Sequence, residues 1–208
     1  MIESTDRRHW YDRTVSLTRL LRHDKRIRTL GVDDGPFRRG SRGPVLVVGA
    51  VFSGDQFEGL LSTRVRQDGF NATDRLIAMI VGSKFRPQLH VVMLDGITLG
   101  GFNVVDLPRL ADVIEVPCVA VMRRPPGLEA IRRALRNLSR PGLRARLMAR
   151  AGEVHEAGEL CFQVAGLAPA VAADLLVRST ATGNVPQCLR AAHLIAGGVV
   201  LGESGHRP

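Results

Sequence analysis

Apolar residues fall into short blocks separated by glycine, and the first three blocks are rich in β-branched residues. These blocks are IRTLGV, PVLVVGAVFS and FEGLLSTRVRQ, beginning at residues 27, 44 and 57. β-Branched residues pack well on a pleated surface, and runs of this length bounded by turn residues are typical of strands. The pattern predicts three strands in an antiparallel meander.

Helical spacing first appears after the third block. In NATDRLIAMIVGSK, beginning at residue 71, four apolar residues recur at helical intervals, with Asn71 at the N-cap position and Asp74 in the first turn. Two nearly continuous apolar runs follow, LHVVMLDG and VPCVAVMRRPP, as expected for strands buried on both faces. The stretches VVDLPRLADVIE and GLEAIRRALRNLSR have helical spacing. This alternation predicts a parallel β-α-β unit attached to the meander.

The remaining segments complete a single domain. EVHEAGELCFQVAGL predicts one or two more strands, and PAVAADLLVRST and PQCLRAAHLIAGGVV predict two closing helices. Residues 1–26 are a charged extension with a predicted helix over TVSLTRLLR, and residues 27–208 form one domain. The predicted fold class is α/β with a ribonuclease H-like mixed sheet, in which a three-strand antiparallel meander is followed by parallel strands with flanking helices.

The net charge adds a candidate partner. The formal charge of the 208 residues is +9, and 27 of the 29 basic residues are arginine. The planar guanidinium suits bidentate contact with phosphate, so such a surface favours polyanions, nucleic acid above all. A coding bias toward arginine accounts for the same composition.

The cysteine positions and the hydropathy of the chain indicate where in the cell the protein is expected. Cys118, Cys161 and Cys188 lie far apart and form no C-x-x-C pair, which indicates neither a zinc site nor a disulfide framework. The longest apolar stretch, LCFQVAGLAPAVAADLLV, is interrupted by Gln, Pro and Asp, and the N-terminus has no apolar signal core. We therefore expect no membrane span and a cytoplasmic location.

Carboxylates stand at the ends of the predicted strands. Asp33 and Asp34 follow the first strand, Asp68 the third and Asp95 the fourth. Clustered carboxylates repel one another unless a hard cation compensates them, and Mg²⁺ prefers oxygen ligands. Two such ions can activate water and stabilise the leaving oxygen in phosphodiester cleavage. The sequences DDG, QDG and LDG are also common in turns, so these aspartates are consistent with turns alone.

Five ordered blocks carry a family resemblance. GVDDG, RVRQDGFNATD, VVMLDGITLGGFNVVDLPRL, VPCVAV and NVPQCLRAAHLIAGG together resemble the archaeal endonuclease V-like family called domain of unknown function 99, or uncharacterised protein family 0215. The resemblance runs from about residue 27 to residue 204 and implies an endonuclease V-like, ribonuclease H-like fold. It also implies a nuclease site that uses Mg²⁺ (or Mn²⁺), since endonuclease V cuts nucleic acid near deaminated purines, particularly hypoxanthine.

The resemblance implies metal ligands and catalytic residues. Asp33 matches the first-strand Asp of endonuclease V, and Asp95-Gly96 matches the Asp-Gly that ends a later strand. The third ligand of endonuclease V is a Glu, and this chain has Val65 in that register. Asp68 can replace this Glu if the chain shifts by three residues, so Asp33, Asp68 and Asp95 are the expected set.

The expected contacts to nucleic acid come from two segments. Arg123 stands where endonuclease V has a functional Lys, keeps the positive charge for a phosphate, and is followed by Arg124. Gly96 and Asn103 belong to the second segment, where GGFNVVD opens a helix whose N-terminal amides suit a phosphate or a base edge. Asp106 is a further candidate there. The alternative is that Asn103 only caps this helix.

Aromatic residues are scarce, and the strand-tip wedge of endonuclease V is missing. In place of its Tyr-x-Pro-Gly motif this chain has DQFEGLL, and its single Tyr and single Trp lie in the N-terminal segment. Phe57 and Phe70 are the remaining aromatics expected near the site, each as a wedge or as a core residue. The stretch LRAAH resembles IRLAH of endonuclease V, which makes Arg190 and His193 candidates, with a structural histidine as the alternative.

These observations predict a Mg²⁺-dependent nuclease that hydrolyses phosphodiester bonds in DNA or RNA. Two other functions stay open. One is a non-catalytic nucleic-acid-binding protein that retains the fold and the charge. The other is a metal-dependent enzyme acting on a small phosphorylated substrate. The nine arginines between residues 123 and 150 form either a basic face for phosphates or a solvated helix surface.

Overall fold

A seven-stranded mixed sheet with helices packed against it organises the chain in the computed structural model, which describes residues 14–38, 40, 43–180 and 183–205. The strands, including a separate two-stranded hairpin, are β1 (Arg28–Asp34), β2 (Pro44–Ser53), β3 (Gln56–Arg66), β4 (Val91–Asp95), β5 (Thr98–Leu99), β6 (Asn103–Val104), β7 (Cys118–Met122), β8 (His155–Ala157) and β9 (Leu160–Ala165). The helices are α1 (14–22), α2 (Ala72–Val81), α3 (Leu107–Ile114), α4 (Leu128–Arg136), α5 (Pro141–Arg150), α6 (Pro169–Ser179) and α7 (Gln187–Leu201), with a 3₁₀ turn at Arg86–Gln88.

The strand order of the sheet is β3-β2-β1-β4-β7-β9-β8. β1, β2 and β3 pair antiparallel as a meander, and β1, β4 and β7 pair in parallel, as predicted. β3 runs in the same direction as β1 because both are antiparallel to β2. The strands β1, β3, β4 and β7 therefore all finish at one end of the sheet, which we call the carboxyl end.

Three local features differ from the simple reading of the pattern. β8 and β9 form a hairpin, and β9 lies antiparallel to β7, so the sheet is parallel only at its centre. The glycine-rich loop after β4 contains the small β5–β6 hairpin. The basic segment after β7 forms two helices, because Arg140 adopts a left-handed conformation just before Pro141, which cannot continue a helix.

Two apolar clusters cover the two faces of the sheet. One contains Leu30 and Val32 of β1 together with the apolar faces of α2 and α3. The other contains Met93 of β4 and residues of α6 and α7, and Leu17 of α1 joins it. The helix predicted over TVSLTRLLR thus packs onto the domain, while residues 1–13, with the single Tyr and Trp, lie outside the described residues. No helix in the described part of the chain is long and apolar enough to span a membrane.

Candidate active site

Two aspartates and a histidine meet at the carboxyl end of the sheet. Asp33 near the end of β1, Asp95 at the end of β4 and His193 of α7 each offer one ligand atom, and these atoms all lie within 4.8 Å of one another. His193 Nδ1 is 2.8 Å from Asp33 Oδ2. β1 and β4 are neighbours in parallel register, so their ends adjoin. The convergence of residues 160 positions apart comes from the fold alone.

Glycine in β1 allows α7 to lie directly on the strand. A Cβ atom at Gly31 would be 2.3 Å from the carbonyl carbon of Cys188, and one at Gly35, which directly follows β1, would be 2.9 Å from a Val200 methyl group. Both distances are shorter than van der Waals contact, and the Cys188 carbonyl belongs to rigid helix backbone. This close approach is what brings His193 within hydrogen-bond distance of Asp33.

Asp34 points to the opposite face of the sheet, as side-chain alternation along a strand predicts. Its neighbours of the same parity, Leu30 and Val32, belong to the cluster under α2 and α3. The Gly100 N–H, from the loop between β5 and β6, donates to the Asp34 carboxylate. Asp34 remains close enough for its charge to influence Asp33.

Burial perturbs the pKa of all three carboxylates. Burial raises the pKa of Asp33 to about 7, and the charges of Asp95 and Asp34 act in the same direction against the hydrogen bond from His193. Burial also raises the pKa of Asp34 to about 6. The pKa of Asp95 is raised by burial, opposed by the charge of Arg123, whose guanidinium is 3.5 Å away. An added positive charge would therefore stabilise the ionised forms.

The donor set fits a divalent cation. Two carboxylate oxygens and one imidazole nitrogen suit Mn²⁺, and Mg²⁺ accepts a site with few protein ligands because it retains several waters. Asp33, Asp34, Asp95 and His193 line a solvent-accessible cleft of about 340 Å³, which leaves room for water and substrate.

Metal-free protein should lose stability, relative to an Asp33→Asn variant, as the pH rises from about 4 to about 7. Asp33 ionises near its ordinary value of 3.8 in the unfolded chain and near 7 in the fold, so its protonated form favours folding. This stability is fully present below the unfolded pKa and is lost as the pH rises through the folded pKa. Thermal denaturation of both proteins in EDTA across this range measures the difference, and saturating Mn²⁺ above pH 7 should restabilise only the wild type. Parallel pH profiles for the two proteins would contradict the prediction.

Asp68, the expected third ligand, lies outside this group. It occupies the turn after β3, where its Oδ1 accepts a hydrogen bond of 2.8 Å from the Phe102 N–H and its own N–H donates to the Gly100 carbonyl at 2.8 Å. Val65, which the sequence resemblance places in the register of the Glu of endonuclease V, is 1% exposed and packs against Gly100. The structure thus corrects the assignment of Asp68, whose carboxylate anchors the β5–β6 loop because the chain turns away after β3.

Asn103 is also corrected, since a side chain with 0% exposure cannot contact nucleic acid. Its Oδ1 accepts from the Ala72 N–H at the start of α2, and its Nδ2 donates to the Arg66 carbonyl and to Asn71 Oδ1. Asn103 therefore caps the start of α2 and does not cap α3. Asn71 stands at the N-cap position of α2 as predicted, but its side chain makes no capping hydrogen bond there.

The other residues predicted for the site lie at different places around it. Asp106 is the N-cap of α3, accepts a hydrogen bond from the Arg109 N–H of that helix and pairs with Arg150. Gly96 has φ of +83° and forms the turn that ends β4. Arg124 is exposed beside Arg123. Arg190 lies one helical turn before His193, next to Gly183.

Phe57 lies away from the expected place, and Arg144 differs from the other arginines of its segment. Phe57 stands at the start of β3, opposite Phe52, and so lies at the far end of the sheet from the aspartates. Arg144, buried with 0% exposure, was one of nine arginines that the sequence left equivalent. It donates to the carbonyls of Asp68, Gly69 and Phe102 and so joins the loops beside the site. Only the spatial neighbours distinguish it from the exposed arginines.

Known proteins resemble this chain at two levels. The family model described as Endonuclease dU matches residues 25–200. A UPF0215 protein of Methanothermobacter thermautotrophicus is 48% identical over 183 residues, which is 86% of this chain and 90% of that protein. The crystal structure of a protein from Archaeoglobus fulgidus is 42% identical, covers 84% of this chain and 98% of its own, and superposes with a TM-score of 0.78.

A more distant likeness bears on the fold. Endonuclease V of Ciona intestinalis, in complex with a 24mer DNA containing an inosine followed by a ribo-adenosine, is 13% identical. The alignment covers 81% of this chain and 84% of that one, with a TM-score of 0.51. This confirms the predicted endonuclease V-like sheet, and the closer matches confirm the family read from the five sequence blocks. The chain belongs to the Endonuclease dU family.

Proposed function

We propose that this protein is a divalent-metal-dependent endonuclease that hydrolyses phosphodiester bonds in DNA or RNA near deaminated bases. The observation that carries the proposal is the convergence of Asp33, Asp95 and His193 within 4.8 Å at the carboxyl end of the sheet. The family description names an endonuclease and dU, which we read as deoxyuridine, and the Ciona endonuclease V structure contains inosine. Both are deaminated nucleosides, and the net charge of +9 suits a polyanionic substrate.

Each side chain of the candidate site has a role that follows from its chemistry. Asp33, Asp95 and His193 would hold Mg²⁺ or Mn²⁺, which supplies activation of water and stabilisation of the leaving oxygen. The hydrogen bond between His193 Nδ1 and Asp33 Oδ2 fixes the orientation of the imidazole ring. Arg123 has a partly exposed guanidinium beside Asp95 and binds a phosphate oxygen of the strand.

A cleavage assay with matched substrates tests the proposal. Purified protein is incubated with single- and double-stranded DNA and RNA carrying inosine, deoxyuridine or no deaminated base, with Mg²⁺, Mn²⁺ or EDTA. We expect cutting near the deaminated base that requires metal and that disappears in Asp95→Asn. Asp55→Asn is the matched control, because Asp55 is an exposed carboxylate at the β2–β3 turn on the opposite end of the sheet. Equal cutting by the wild type and Asp95→Asn would show that the activity does not belong to this site.

One observation favours a second candidate, a nucleic-acid-binding protein without catalysis. Val65, which the sequence resemblance places in the register of the third carboxylate of endonuclease V, is apolar and buried, and Asp68 lies outside the group formed by Asp33, Asp95 and His193. This candidate predicts salt-sensitive binding of the same oligonucleotides with no cleavage in any metal. Metal-dependent cleavage by the wild type, together with no cleavage by Asp95→Asn, would reject this candidate.

A further inference from the structure

Phe70 is an exposed aromatic side chain at the same end of the sheet as the candidate active site. β3 runs parallel in direction to β1, with Arg66 opposite Pro44 and Asp34 opposite Val47, so the turn after β3 lies near the end of β1. Phe70 in this turn is 37% exposed. Among the residues the structure describes, Phe57 is the other well-exposed phenylalanine, with 46% exposure, and it lies at the opposite end of the sheet.

A buried arginine holds Phe70 in place. The guanidinium carbon of Arg144 lies 4.1 Å from the centre of the Phe70 ring. The same guanidinium donates to the carbonyls of Ser139, Asp68, Gly69 and Phe102. Burying a charged group is costly unless its hydrogen bonds are satisfied, and here backbone carbonyls satisfy them. The ring is therefore attached to a rigid turn and backed by a planar cation.

Hydrogen bonds connect this turn to the candidate active site. The Asp68 N–H donates to the Gly100 carbonyl, and the Phe102 N–H donates to Asp68 Oδ1. The Gly100 N–H in turn donates to the Asp34 carboxylate. Phe70 is thus held at a defined place relative to Asp34.

We propose that Phe70 is a stacking platform for an unpaired base of the nucleic-acid strand held at the active site. This inference rests on the proposed function. Aromatic faces stack on any base, and an aromatic ring beside cationic groups is the arrangement by which proteins bind single-stranded nucleic acid. Arg140, whose guanidinium carbon is 5.9 Å from the ring centre, supplies the cation for the adjoining phosphate. The platform stands on the loop after β3, in contrast to the strand-tip wedge of endonuclease V, which this chain lacks.

Binding measured in EDTA tests the platform independently of cleavage. Phe70→Leu keeps an apolar side chain but removes the π face, and it should weaken binding of a single-stranded oligonucleotide about 5- to 100-fold with an unchanged salt slope. Phe70→Trp should retain affinity, and its added tryptophan fluorescence should be quenched when the oligonucleotide binds. The matched controls Phe57→Leu and Phe57→Trp should show wild-type affinity and no added quenching. Thermal denaturation of each variant verifies that it is folded.

The outcomes separate this inference from the proposed function. Wild-type affinity in Phe70→Leu, or equal quenching in Phe57→Trp and Phe70→Trp, would overturn the platform even if the protein is a nuclease. Loss of affinity in Phe70→Leu together with no cleavage by the wild type would support the platform and reject the nuclease. No binding by the wild type would overturn the platform.

Discussion

Asp33→Asn is expected to slow the proposed metal-dependent cleavage strongly while the protein stays folded. Asp33 is 6% exposed, its Oδ2 lies 2.8 Å from His193 Nδ1, and it offers a ligand atom within 4.8 Å of those of Asp95 and His193. Asparagine keeps the size of the side chain but removes the charge that the cation needs. We expect the single-turnover rate to fall by on the order of 10³-fold, the upper end of the cost of removing one preorganised electrostatic group. Calorimetric titration with Mn²⁺ should show weakened metal binding in parallel.

The controls for this prediction distinguish loss of charge from loss of fold. Asp55→Asn should cleave and bind Mn²⁺ like the wild type, because Asp55 is exposed and far from the site. Asp33→Asn should be at least as thermostable as the wild type in EDTA above pH 7, since it removes a buried carboxylate that resists ionisation. Full cleavage activity in a folded Asp33→Asn protein would mean that the reaction occurs elsewhere on the molecule.

Gly31→Ala is expected to separate α7 from the sheet and so to weaken the site without changing any of its ligands. The new methyl group would lie 2.3 Å from the Cys188 carbonyl carbon and 2.6 Å from the Leu189 nitrogen, both in helix backbone. Overpacking of this kind costs about 1–3 kcal/mol, which lowers the Tm of a domain this size by roughly 2–12 °C. Displacement of His193 from Asp33 should also weaken Mn²⁺ binding by about 10- to 100-fold.

A glycine in open space supplies the matched control. Gly142 lies in the first turn of α5, and a Cβ atom there would meet nothing within 4 Å. Gly142→Ala should therefore leave Mn²⁺ binding unchanged and raise stability by about 0.5–1 kcal/mol, as expected for this change in a helix. Wild-type Tm and Mn²⁺ affinity in Gly31→Ala would show that α7 is not held by close contact with β1.

The strands and helices could be predicted because their signals are local. The block PVLVVGAVFS has the length and composition of a strand and forms β2 with those bounds. Asp95 could be assigned to a strand end for the same reason, since an apolar run stops at an Asp-Gly pair.

The errors concern side chains whose partners are distant in sequence. Asp68 and Asn103 have the residue types and loop positions of functional residues. In the structure, however, their side-chain oxygens accept hydrogen bonds from backbone N–H groups of other segments. Such hydrogen bonds depend on how the β5–β6 hairpin docks against the turn after β3. Local composition carries no information about that docking, so the sequence did not distinguish these two residues from Asp33 and Asp95.

By itself, the sequence determined the meander, the β-α-β unit, the family and the carboxylates at the ends of β1 and β4, because hydrophobic periodicity and turn residues act over short distances. The tertiary structure alone decided that His193, not Asp68, joins Asp33 and Asp95. That outcome depends on the contact of α7 with Gly31, which brings together residues 160 positions apart in the chain. Close packing between a helix and a strand is a property of the folded backbone, and a single glycine in β1 permits it.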